Sequence, residues 1–204
     1  MSLRPTFYDF VLNDNSVVQV TRNYAGLYML KAHDPALYEK SQVFNRKANK
    51  NYVADDLETA SLIYAAYVTA CLVNNSVKKS NGEPEDEIMS EIDFMTLMPT
   101  ESYKIMNIFT KLFGDEKKKS GFSEVFKKAT AKVDHKKTPI PDFPLEEIED
   151  YYTYYVHIMK IPEDIFWNAD IPFLDRVVEN KTAYDGWFNS VMQKEREKAL
   201  GRKK

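Results

Sequence analysis

The side chains of this chain that could drive a reaction are Cys71, His33, His135, His157 and the acidic pairs Glu146-Glu147 and Glu149-Asp150. A metal centre needs ligands that converge, in spacings such as HxxxH or CxxC. The three histidines fall instead on a helix break, in a lysine-rich stretch and in an aromatic helix, and none lies at ligand spacing from another. The single cysteine sits inside an apolar helical run, forms no internal disulfide and suits a reducing compartment. Both acidic pairs occupy the first turn expected of a helix, where the helix dipole already favours negative charge. With six glycines in all, the chain has no GxxxxGK[ST] loop, and Asn81-Gly82 and Lys119 to Gly121 read as turns. These residues imply no catalytic group, no cofactor and no metal site, and point away from an enzyme.

Binding chemistry is better represented. Lys117 to Lys119, Lys127-Lys128, Lys132 and Lys136-Lys137 could grip phosphate or an acidic partner. A formal charge of -3 and a pI near 5.7 argue against nucleic acid as that partner. The stretch reads as a solvated connector, with Phe122 and Phe126 spaced as one face of a short amphipathic helix. Large aromatics are enriched where proteins bind proteins, which makes Tyr151, Tyr154, Phe166, Trp167 and Trp187 the candidate partner surface. Core packing between short helices is the competing reading of the same rings. Leu145, Ile148, Tyr152, Tyr155, Val156 and Met159 recur at helical intervals, and Tyr151, Tyr154 and Ile158 form a second stripe. A helix with two apolar faces either has neighbours on both sides or lends one face to another protein.

The elements that must carry these residues are mainly helical. In 204 residues, 44% hydrophobic and 13% aromatic, the chain can bury a core as one domain or two small ones. FYDFVL and SVVQVT flank Asn13-Asp14-Asn15 and predict a β-hairpin over residues 6–21. Asn23 caps a helix through Ala32, and Asp34 with Pro35 opens a second helix carrying Leu37, Tyr38 and Phe44. Asp55 and Glu58 form a capping box for the central helix, which is expected to end near Asn74-Asn75. Its Ala60, Ala65, Ala66 and Ala70 interleave with larger side chains and allow close helix approach. A helix or helix pair with Ile92, Met95, Leu97 and Met98 ends at Pro99. Thr100 then caps a helix that stops at Gly114.

The expected class is α+β, mainly α: an N-terminal hairpin and helical bundle over 1–114, a basic, proline-containing linker over 115–144, and a smaller all-helical module over 145–204. In that last module helices are predicted at Leu145 to Lys160, Pro162 to Asn168, Pro172 to Asn180 and Ala183 to Lys198, the last capped by Thr182 with Asp185. Met1 to Pro5 leads straight into strand-like sequence without the pattern of a signal peptide. Leu57 to Val73, broken by Glu58, Thr59, Ser61 and Thr69, falls short of a membrane span and reads as a core helix.

In order, FYDFVLNDNSVVQVTRN, YMLKAHDPALYEK and DDLETASLIYAAYVTACLVNN in the first half, and YYTYYVHIMKIPEDIFWNADIPFLDRVVENKTAYDGW in the second, resemble the tail assembly chaperones of long-tailed bacteriophages of Gram-positive bacteria. The resemblance lies in loose hydrophobic patterns covering most of the chain. It implies a non-enzymatic protein of the host cytoplasm, absent from the mature virion. The N-terminal domain would bind and solubilise the tape measure protein, and the C-terminal extension, made in many relatives by ribosomal frameshifting, would recruit the major tail tube protein. Exposed apolar surface on helices suits such clients, and self-association is compatible with it. No nucleic acid and no membrane are implied. Two other readings of the residues stand beside it: another phage structural or connector protein, and a helical DNA-binding regulator.

Overall fold

A computed structural model describes residues 5–48, 54–114, 121–130 and 145–201. The fold is mainly α with an N-terminal antiparallel hairpin, as the patterning predicts. Compact packing divides the chain into two units, Met1–Asp115 with Glu146–Pro172, and Glu116–Leu145 with Phe173–Lys204. This division departs from the expected boundary, because residues 146–172 group with the N-terminal half. Apart from residues 121–130, the expected linker over 115–144 lies outside the described residues.

In the first unit, β1 (Tyr8–Val11) pairs with β2 (Val17–Val20) in the register Tyr8↔Val20 to Val11↔Val17. The turn closes where the Asp14 carboxylate accepts from the Ser16 N–H at 2.9 Å and Asn15 takes a left-handed conformation (φ 64°), which Asn tolerates. The Asn23 side chain accepts from the Gly26 N–H (2.7 Å) and starts α1 (Tyr24–His33); Asp34 ends it and accepts from the Leu37 N–H (2.9 Å) to start α2 (Pro35–Ala48). Asp55 caps α3 (Asp56–Ser80) through the Glu58 N–H at 2.8 Å.

The helix α3 is the centre of this unit. Ile63, Ala66, Val68 and Ala70 on it are buried, and β2, α1, α2, α4 (Glu91–Leu97) and α5 (Ser102–Phe113) pack around it. The small residues matter where α1 crosses: a Cβ on Gly26 would stand 2.2 Å from Thr69 Cγ2, so only glycine permits that approach. Phe94 of α4 is fully buried, its ring 5.1 Å from Tyr67, 5.4 Å from Tyr64 and 6.4 Å from Phe10.

Two expectations about these helices fail, the first where side chains reach residues distant in sequence and the second where a local ion pair forms. α3 does not end at Asn74-Asn75 but continues to Ser80, with Asn75 turning its amide onto the Asp86 backbone (2.9 and 2.8 Å) and Asn74 donating to Gln19 (3.0 Å) instead of ending the helix. At 25 residues it is long and apolar enough to cross a membrane by length and composition, and 61% of its most apolar window is buried inside the protein. The cap of α5 is Glu101 rather than Thr100, and the Glu101 carboxylate is engaged by Lys104 at 2.8 Å and makes no capping bond to the helix.

The second unit contains α6 (Gly121–Thr130) and α9 (Ile171–Ala199) from Phe173 onward. The two helices expected at Pro172–Asn180 and Ala183–Lys198 are one helix of 29 residues. Thr182 does not cap it: Lys181 pairs with Asp185 at 2.6 Å, an i,i+4 bridge that favours continuation.

Candidate interaction surfaces

The aromatic run of residues 151–155 is positioned by a short helix and a wide turn. α7 (Ile148–Tyr152) begins where the Asp150 carboxylate accepts from the Glu146 and Glu147 N–H groups (3.2 and 3.0 Å), which hold it below the usual carboxylate range. Glu147 in turn receives Lys31 at 2.7 Å, so these acids serve to start and anchor a helix. The chain continues as a π-helical turn, Thr153–Ile158, with Met159 N–H reaching back to the Tyr154 carbonyl at 2.9 Å. It stops at Lys160, a non-glycine residue in the left-handed region (φ 58°), just before Ile161 and Pro162. Of the first stripe Ile148, Tyr155 and Met159 are buried and Leu145, Tyr152 and Val156 half-buried; of the second, Tyr151 and Tyr154 are half-buried and Ile158 is exposed, and the single helix expected over Leu145 to Lys160 is instead α7 followed by the π turn.

Against this element lies α8 (Glu163–Asn168), and the rings of α1, the π turn and α8 meet. Tyr24 stacks on Phe166 at 4.5 Å and 11°, with Tyr155 6.0 Å and Tyr152 5.4 Å from the same Phe166 ring. Phe166 is 0% exposed, which removes it from the candidate partner surface: it is the centre of a core cluster. Tyr151, 5.4 Å from Tyr24, and Tyr154, 5.5 Å from Tyr155, are half-buried on the flank of that cluster. Trp167 is also half-buried, donates through Nε1 to Glu163 (3.2 Å) and meets the exposed ring of Tyr28 edge-on at 6.2 Å. The exposed rim there is Tyr28 with the edge of Trp167. Residues 169–172 also belong to this unit, since the Tyr8 hydroxyl donates to Asp170 (2.7 Å) and the Ile171 N–H to the Arg22 carbonyl (3.2 Å). Burial and the Asp170 carboxylate push the Tyr8 phenol upward.

Trp187 belongs to the other unit. Its ring and that of Tyr184 each lie 5.4 Å from Phe126 of α6, edge-on. Ser123 (2.8 Å) and Lys127 (2.6 Å) both converge on the Glu179 carboxylate, fixing α6 along α9. Phe122 and Phe126 share a face, 4.8 Å apart, as the spacing predicts. Two helices enclose only one side of each, and Phe122, Val125, Phe173, Tyr184 and Phe188 stay exposed. The spacing of Phe122 with Phe126 marks this face in the sequence, and Tyr184 and Phe188, at i and i+4, carry the same helical signal.

The remaining chemically active residues are dispersed. His33 and His157 are exposed, the latter edge-on to Tyr152 at 5.3 Å, and His135 lies outside the described residues. Cys71 is a half-buried free thiol that burial pushes up, away from reactivity. Among the described residues no three His, Cys, Asp or Glu side chains are grouped to hold a metal ion. Comparison with protein-family models, with curated proteins and with solved structures finds no match.

Proposed function

We propose that this chain is a tail assembly chaperone of a long-tailed phage, acting without covalent chemistry by lending apolar helical surface to the tape measure protein and to the major tail tube protein. The single observation that carries it is the row of exposed aromatics Phe122, Tyr184 and Phe188 on the paired helices α6 and α9, a surface of the type that binds helices of other proteins. The order of the resembling segments along the chain supports the same client. Because residues 146–172 pack with the N-terminal half, tube capture is assigned to α6 and α9 rather than to everything after residue 145. The protein acts in the host cytoplasm and leaves before the virion is complete.

Co-expression of the full chain with the tape measure and tube proteins encoded beside its own gene tests this. Wild type holds the tape measure protein in the soluble fraction and co-purifies with the tube subunit. The double variant Phe122→Ser/Phe188→Ser still solubilises the tape and captures at least about tenfold less tube. Failure of either tail protein to respond to wild type overturns the proposal. So does recovery of the chain from purified virions, which assigns a connector, or salt-dependent retention of duplex DNA, which assigns a regulator.

A further inference from the structure

We propose that the outer edge of β1 and the adjoining flank of α5 form a docking groove for an uncharged, extended segment of another protein, which adds beside β1 as a third strand. The parity of the hairpin exposes that edge. The Leu12 N–H donates to the Ser16 carbonyl (2.9 Å) and the Leu12 carbonyl accepts from the Asn15 N–H (3.1 Å), so Leu12, Phe10 and Tyr8 turn their backbone groups toward β2. Asp9 and Val11 therefore turn theirs outward. β2 obeys the same parity, since Thr21 sends its N–H away from the hairpin to the Ala66 carbonyl (3.1 Å).

The protein already uses the next position of this edge to bind backbone, the C-terminal end of α4. Asn13 donates its N–H to the Leu97 carbonyl (2.8 Å) and its side-chain amide to the Met98 carbonyl (2.7 Å), and Met98 is extended (φ -59°, ψ 139°). Where that segment turns away, at Val11 and Asp9, a groove of about 290 Å³ opens between β1 and α5. Tyr103, Asn107 and Lys111 line its far wall at i, i+4 and i+8, so one face of α5 runs along it. The hydroxyl, amide and ammonium of these three have no hydrogen bond or ion pair among the described residues.

Charge and polarity select the occupant. Lys104, also on the wall, is neutralised by Glu101 at 2.8 Å. Asp9 and Lys111, both lining the groove, carry opposite charges, so its lining adds no net charge. An uncharged strand fits: an apolar residue over Ile108 between Val11 and Tyr103, then a hydroxyl or amide side chain within reach of Asn107. Backbone hydrogen bonds to Asp9 and Val11 supply the affinity, and the wall sets the register.

The probe is a blocked five-residue peptide of alternating Thr and Val, titrated into the ¹⁵N-labelled full chain. The Asp9 and Val11 amides are expected to move downfield and exchange more slowly as the peptide saturates. Full N-methylation of the peptide, or Val11→Pro, lowers affinity at least about tenfold; the proline removes only an outward N–H and leaves the ladder to β2 intact. Tyr103→Ala, remote from the ladder, weakens binding about threefold. Equal binding of the N-methylated peptide, shifts confined to other amides, or no response up to about 1 mM peptide overturns the proposal. A concentration-dependent dimer that protects the same two amides without peptide also overturns it, because the edge then belongs to a second copy.

Discussion

Two groups of aromatic rings in this protein are built from the same residue types and end in opposite states. Around Phe166, the rings of Tyr24 and Tyr155 are each 3% exposed, whereas around Phe126 the rings of Phe122, Tyr184 and Phe188 are 41–51% exposed. The difference is geometric. The first group lies where three elements converge, α1, the π turn and α8, so each ring has neighbours on several sides. The second lies on a helix pair, which covers one stripe of each helix and leaves the other to solvent. Ring content alone thus says nothing about whether an aromatic stabilises the fold or serves a partner; the number of elements meeting at the ring decides it.

The sharpest way to break this comparison is Phe166→Ala. Removing a fully buried ring stacked on Tyr24 costs about 3–5 kcal/mol of unfolding free energy. The chain carries two tryptophans, Trp167 in one unit and Trp187 in the other, so Trp187→Phe leaves a fluorescence reporter of the first unit and Trp167→Phe one of the second. Urea titration in the Trp187→Phe background should show the loss. A change below about 1 kcal/mol would mean that the Phe166 cluster is not a core.

The burial of Phe166 is legible only as one of two readings, since the sequence of residues 161–174 fits core packing between short helices as well as a partner surface. Short-range signals read correctly: Asn23, Asp34 and Asp55 each cap the helix that follows because a capping bond spans only three residues. The buried stripe Ile148, Tyr155 and Met159 was visible because helical periodicity survives the π turn. What failed depends on residues distant in sequence. Phe166 is buried by Tyr24, Asn75 is held inside a continuing helix by Asp86, and the grouping of residues 146–172 follows from Tyr8, Arg22 and Lys31. The groove beside β1 was equally hidden, since its existence depends on which hairpin edge α5 approaches.

Alkaline titration sharpens the same contrast through the first unit's tyrosines. Tyr67 is pushed up to about 12 by burial, although the Met89 N–H it accepts at 3.1 Å pulls the other way, and burial also raises Tyr38 and Tyr64. The unfolded chain releases these protons near pH 10, the folded chain later, so between those limits the native state binds more protons and stability falls as pH rises. Urea midpoints read from Trp167 should be flat below pH 10 and decline from there through pH 12. Tyr67→Phe should make the decline shallower while costing about 1 kcal/mol at neutral pH for the lost Met89 bond. An unchanged slope in that variant would remove Tyr67 from the account.

The smallest expected effect is the most telling about the second group. Phe188 stacks on Tyr184 at 6.1 Å but is 44% exposed, so Phe188→Ala should shift the unfolding free energy read from Trp187 by less than about 0.5 kcal/mol. A ring that contributes so little to the fold exposes apolar area to water for no structural return, and the same substitution should lower tube-protein capture by a larger free energy than it takes from stability. Were Phe188→Ala to cost as much as a core truncation, the ring would be enclosed by its own chain, and the distinction between the two aromatic groups would disappear.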